Sequence, residues 1–191
     1  MGETSNADGF VVAYPQAAIP DRTGFDWNVP GQPLVGGRAV PKASPDDVAF
    51  LGRLIRELEQ TACADPHRIY ATGFSGGARM ASQLACDLSD TIAAIAPVSG
   101  LRFPSPCRST RPVPVLAFHG MEDHVDPYDG HGQAYWTYGV VEAATRWAKH
   151  DGCTSSSTSG DLMRWQGCRA GSTVELKEGH EWPGARRCPR R

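Results

Sequence analysis

Residues 69 to 86, IYATGFSGGARMASQLAC, run from one apolar segment through a Gly-x-Ser-x-Gly turn directly into another. "HRIYATG" reads as a strand and "ARMASQLAC" as a helix, so Ser75 falls on the turn that joins them. On so sharp a strand-to-helix turn a serine hydroxyl stands clear of the sheet, and glycines at 73 and 77 avoid a collision of side chains across it. A bare Gly-x-Ser-x-Gly pattern is common in ordinary turns. In this context Ser75 is a candidate nucleophile, and the backbone N–H of Gly76, at the helix start, is a candidate donor to a developing oxyanion.

The rest of the chain supplies the frame for such a turn. "GFVVAYP" (9 to 15) is a short apolar run closed by proline and predicts a buried strand. Residues 16 to 43 are rich in proline and glycine without periodicity and predict a long surface loop containing Trp27. Ser44-Pro45-Asp46-Asp47 predicts a helix start with a capping hydroxyl, and Val48, Leu51, Leu54, Ile55 and Leu58 follow at helical spacing. "IAAIAPVSG", "VPVLAFHG" and "TVELKEG" read as further strands, with a helix over "VVEAATRWAKH". Strands alternating with helices predict an α/β fold with a doubly wound, mostly parallel sheet. At 191 residues it is read as a single domain, 1–191.

A serine hydroxyl needs a base, and the base needs a group to hold its tautomer. On a sheet of this kind both partners follow the serine, the acid before the histidine, on loops at the carboxyl ends of later strands. After "VPVLAFHG" the loop MEDHVDPYDG offers Asp123, Asp126 and Asp129, and after "TVELKEG" comes His180. The other histidines close helices, end strands or flank other elements.

Charge is nearly balanced, 19 basic against 21 acidic residues, with a formal net charge of −2. That balance points to neither nucleic acid nor an anionic membrane as partner. The basic run ARRCPRR at the end of the chain reads as a solvated tail. Six cysteines without CxxC or zinc-ligand spacing predict disulfides and an exported, extracellular protein. Cys153 and Cys168 bracket a polar Ser/Thr-rich segment read as a loop that a bridge would tether. No signal sequence is recognisable in the first residues, and neither a metal nor an organic cofactor is implied.

Several segments in order, "GFVVAYP", Trp27-Asn28, "DDVAFLGRLI", "DPHRIYATGFSGGARMASQLAC", "IAAIAPVSG", "VPVLAFHGMEDHVDPYDG", "WAKHDGC" and "EGHEWPG", resemble the secreted feruloyl esterase and polyhydroxybutyrate depolymerase family of α/β-hydrolases. The resemblance implies an α/β-hydrolase fold and a serine carboxylic-ester hydrolase with a triad of Ser75, Asp123 and His180. Asp123 is placed by the loop pattern HGxxDxxVPY and His180 by GHxWPG. The implied substrates are hydroxycinnamoyl esters on plant polysaccharide, with polyhydroxyalkanoate oligomers and acetylated xylan as alternatives. Trp27, Tyr128 and Trp182 are candidates to line an aromatic cleft.

The chain departs from the family pattern at three places. Asp126 stands where the family carries valine, only a short basic tail follows the histidine loop, and the strands that precede "GFVVAYP" in the family, with the loop carrying the second oxyanion donor, have no counterpart. The expectation is therefore a domain incomplete at its N-terminus, with either a direct pairing of "GFVVAYP" with "HRIYATG" or an open sheet edge between them. A catalytically weak or inert carbohydrate-binding remnant is the alternative of another class.

Overall fold

A computed structural model of the chain describes residues 2–22 and 24–179. A short helix α1 (Gly2–Asp8) precedes a small antiparallel hairpin, β1 (Ile19–Asp21) and β2 (Gly24–Asp26). Then come α2 (Asp47–Thr61), β3 (Ile69–Phe74), α3 (Gly76–Asp87), β4 (Ile92–Val98), β5 (Val115–Gly120), α4 (Val140–Asp151), β6 (Ser155–Ser159), β7 (Leu162–Gln166) and β8 (Val174–Gly179). The main sheet has six strands in the order β3-β4-β5-β8-β7-β6. β3, β4, β5 and β8 are parallel, while β7 and β6 extend the sheet antiparallel beyond β8. This is the mixed α/β sheet of an α/β-hydrolase, with the carboxyl ends of β3, β5 and β8 at one end of it.

One face of the sheet carries Ile92, Ile95, Val115, Ala117, Val174 and Leu176, all buried, and α2, α3 and α4 share a single core with it. Alternation along the strands sends the neighbouring residues to the other face, where Tyr70 and Leu116 are 64% and 40% exposed. Helix α2 begins two residues later than the sequence indicates. Its cap is Asp46, whose Oδ1 accepts the Ala49 N–H at 2.9 Å, whereas the Ser44 hydroxyl is buried without a hydrogen-bond partner among the described residues.

Two expectations are corrected. "GFVVAYP" is not a strand: residues 10–18 have no regular structure, and Phe10, Val11 and Tyr14 are 48%, 59% and 70% exposed. Apolar β-branched residues form a strand only beside a partner, and among the described residues nothing pairs with the outer edge of β3. Of the two arrangements anticipated for that edge, the open one is found. The segment bracketed by Cys153 and Cys168 is likewise not a loop but the hairpin β6–β7, annealed to β8. The Cys153–Cys168 bridge itself is present, together with a second, Cys86–Cys107, whose pairing the sequence leaves open.

Candidate active site

Ser75 sits between β3 and α3 with φ 51° and ψ −114°, a conformation that non-glycine residues rarely adopt. Two hydrogen bonds hold it there. Its N–H donates to the Val98 carbonyl at 3.0 Å, and its own carbonyl accepts the first helical bond of α3, from Arg79 N at 3.1 Å. Two glycines permit the close approach. A Cβ on Gly73 would lie 2.4 Å from the Gly77 carbonyl carbon, and one on Gly100 would lie 2.4 Å from the Ser75 oxygen. Gly76 opens α3, whose first N–H groups have no partner within the helix.

The long segment before α2 brings Trp27 to this turn. Asn28 N donates to the buried Asp47 carboxylate at 2.7 Å, and Asn28 Nδ2 to the Pro45 carbonyl at 2.7 Å, which pins the Trp27-Asn28 pair to the start of α2. Burial raises the Asp47 pKa, and the Asn28 N–H opposes that rise. Trp27 Cδ1 then lies 4.0 Å from the place a Gly76 Cβ would occupy. The half-buried indole thus borders the nucleophile turn.

The loop after β5 presents its acids in two different settings. Asp123 Oδ1 accepts the N–H groups of Val125 and Asp126, each at 2.9 Å, and Oδ2 lies 3.7 Å from His119 Nε2. With 17% of its side chain exposed, it keeps access to a partner across the sheet end. Asp126 is only 1% exposed, and among the described residues neither of its carboxylate oxygens has a well-formed hydrogen bond. Burial pushes its carboxyl pKa up, with Arg79 the leading opposing charge. Asp129 caps the backbone of His131.

His119 lies beneath this loop, buried, its Nε2 bonded to the Asp126 carbonyl at 2.8 Å and its ring stacked on Trp136 at 5.6 Å. Burial lowers its pKa and favours the neutral ring, which supports the loop from below. The loop is tied further by Trp136 Nε1 to the Pro127 carbonyl at 2.6 Å and by Val140 N to the Tyr128 carbonyl at 3.0 Å. Behind it, buried Arg102 donates to the Tyr138 and Tyr135 carbonyls and stacks between Trp136 and Tyr138. Burial brings its pKa down to about 10. Tyr128 donates its hydroxyl to Glu178 on β8 at 2.5 Å, and burial raises its pKa. Its polar end therefore braces the acid loop against the last strand, a role beyond the aromatic lining expected of it.

The structure thus collects Ser75, Gly76 and Trp27 at one turn, and Asp123 and Tyr128 on a fixed loop at the same end of the sheet. His180 and Trp182 follow Gly179, the last residue of β8, and lie outside the described residues. Sequence reading missed Arg79, Asp126 as a buried group, and Tyr135, which cluster behind the turn; a charged residue inside the apolar pattern of α3 was the available signal. Among the described residues no group of His, Cys, Asp or Glu could hold a metal ion, and no helix is long and apolar enough to cross a membrane.

No protein-family model matches the chain. Among curated proteins it is 34% identical over 188 residues to feruloyl esterase B of Piromyces equi, which covers 88% of this chain and 32% of that protein. It is 31% identical over 145 residues to the protein named "Probable feruloyl esterase C" of Aspergillus terreus, covering 71% of this chain and 50% of that one. A bifunctional acetylxylan esterase/xylanase of Neocallimastix patriciarum is 27% identical over 124 residues. The chain spans half or less of the length of each of these relatives. The similarity runs through most of the chain, and the strand order and the serine turn agree with it: this chain belongs to the feruloyl-esterase-like family of α/β-hydrolases.

Proposed function

We propose that the chain is a serine carboxylic-ester hydrolase that works through an acyl-enzyme, with Ser75 as nucleophile, His180 as base and Asp123 as the acid that orients it. The observation that carries this reading is the Ser75 backbone, held at φ 51° between a parallel strand and a helix by glycines that leave no room for a side chain. Strain of this kind persists only where the surroundings enforce it, and here it presents a hydroxyl beside the N–H groups of a helix start.

Ser75 Oγ attacks the ester carbonyl carbon as His180 takes its proton, and the carbonyl oxygen becomes an oxyanion facing Gly76 N–H. Collapse expels the alcohol, which receives that proton, and leaves Ser75 acylated. Water, deprotonated by His180, then attacks the acyl carbon, and Ser75 regains its proton as the acid departs. Asp123 suits the orienting role because its loop is held by hydrogen bonds and its side chain is partly exposed, while the carboxyl of Asp126 is buried.

The relatives' names support hydroxycinnamoyl esters of plant cell-wall polysaccharide as substrates, with acetylated xylan as the alternative. Polyhydroxyalkanoate oligomers rest on the sequence resemblance alone. Trp27, beside Gly76, suits the flat acyl group of a hydroxycinnamate. The two disulfides support an extracellular setting. Labelling with a fluorophosphonate and turnover of methyl ferulate test the reading together. Labelling confined to Ser75, and lost with turnover in Ser75→Ala, is the expected result; no labelling of the intact chain would leave the inert binding remnant as the better account.

A further inference from the structure

Arg79 is one helical turn beyond Ser75 and is only 4% exposed. Its Nε is buried with no hydrogen-bond partner among the described residues. In a helix a long side chain leans toward the N-terminus. Here Nη2 reaches back to within 3.5 Å of the place a Gly76 Cβ would occupy, on the side where Trp27 stands. The guanidinium carbon lies 3.9 Å above the Tyr135 ring. Among the described residues the Tyr135 hydroxyl and both oxygens of Asp126 are also buried, and these two groups interact with each other without a well-formed hydrogen bond. A desolvated cation is thus held by a ring face and by the field of a buried carboxylate, neither of which takes up its donors.

Burying such groups is costly, and their place beside the nucleophile turn points to a charge that forms there during the reaction. We infer that Arg79, stacked on Tyr135 and faced by Asp126, is the second stabilising element for the oxyanion that develops beside Gly76 N–H. The inference rests on the ester-hydrolase reading and completes it: one backbone donor and one fixed cation flank the nucleophile turn. Asp126 and Tyr135 act through Arg79, as positioning residues. The carboxylate at position 126 thereby has a role that the orienting acid Asp123 does not share.

The test compares Ser75→Ala, Arg79→Met, Arg79→Lys and the double variant Arg79→Met/Asp126→Val, reading kcat and KM on p-nitrophenyl acetate and methyl ferulate alongside Tm. Arg79→Met should lower kcat about 10²-fold while KM changes little, as when an oxyanion donor is removed. Arg79→Lys keeps the charge and should recover part of that loss. The double variant removes both buried charges together, so it should match or exceed the wild-type Tm yet remain as slow as Arg79→Met. Recovery of wild-type kcat in the double variant would overturn the inference, because the pair would then only be holding the fold. If Arg79→Met fails to fold, the double variant alone decides between these outcomes. Wild-type kcat in a folded Arg79→Met, with Ser75→Ala inactive, also overturns it while leaving the ester-hydrolase reading intact. Activity in Ser75→Ala would overturn that reading, and this inference with it.

Discussion

Gly73 lies so close to Gly77 that a methyl group on it would meet the Gly77 carbonyl carbon at 2.4 Å and its oxygen at 2.6 Å. The last strand residues before Ser75 and the first turn of α3 are therefore in backbone contact, and the strained serine follows from that contact. Gly73→Ala should cost about 3 kcal/mol of stability, because the obstacle is backbone that cannot move aside. Gly77→Ala should cost much less, since nothing lies within 4 Å of its Cβ position. Thermal melts of the two variants check this, and equal losses would mean that the turn is looser than its geometry indicates.

Asp123 and Asp126 are three residues apart and differ in what they can reach. Asp123→Asn should lower kcat by about 10⁴, as a wrongly held histidine does. Asp126→Asn should cost on the order of tenfold, through a less firmly held Arg79. Steady-state kinetics on a small activated ester measures both, and a larger loss at Asp126 would transfer the orienting role to it.

Burial raises the folded-state pKa of Asp126 above its ordinary 3.8. In the interval between the two values the folded protein binds more protons than the unfolded chain, so stability falls as pH rises through it. Asp126→Asn carries no such titration. Its stability relative to the wild type should therefore improve as pH rises from 3.8 through the raised value and level off above it. Urea melts at several pH values report this difference, and a difference that shrinks with rising pH contradicts the assignment of Asp126 as a desolvated acid.

Every residue of β6 is exposed, while Cys168 is buried and its bridge spans 15 residues. Closing such a loop is worth about 3 kcal/mol in the chain-entropy model. In Cys153→Ser/Cys168→Ser that loss should appear locally, as faster amide exchange over β6 and β7 with β3 and α3 still protected. Hydrogen-exchange mass spectrometry resolves the two regions; uniform acceleration would show that the hairpin and the nucleophile turn unfold as one unit.

Tyr70, on the edge strand β3, and Leu116, two strands further in on β5, are exposed on the same face of the sheet. Unpaired strand edges beside exposed apolar groups favour association. Sedimentation velocity should show mass increasing with concentration, and Tyr70→Lys/Leu116→Lys should suppress it. A sedimentation coefficient independent of concentration in the parent chain would count against this.

The strands β3, β4, β5 and β8, the helices α2 to α4 and the position of Ser75 at a strand-to-helix turn were all legible in the sequence. Each depends on contacts between near neighbours in the chain: an apolar period, a proline or acid at a helix start, or glycines spaced for one turn. The bridge between Cys153 and Cys168 was legible for the same reason, being local. Tertiary structure decided what depends on distant partners. "GFVVAYP" has the composition of a strand and is exposed, because a strand exists only where another offers it hydrogen bonds. The Ser/Thr-rich segment became the hairpin β6–β7 because β8 presents an edge to anneal to. Asp126 and Asp123 are equivalent as letters; burial against α3 and the 127–139 segment made one a desolvated group facing Arg79 and left the other at the surface of the acid loop. The environment of Arg79 on α3 is composed by the segment before α2, bearing Trp27, and the loop between β5 and α4, bearing Asp126 and Tyr135, and no spacing along the chain encodes that meeting.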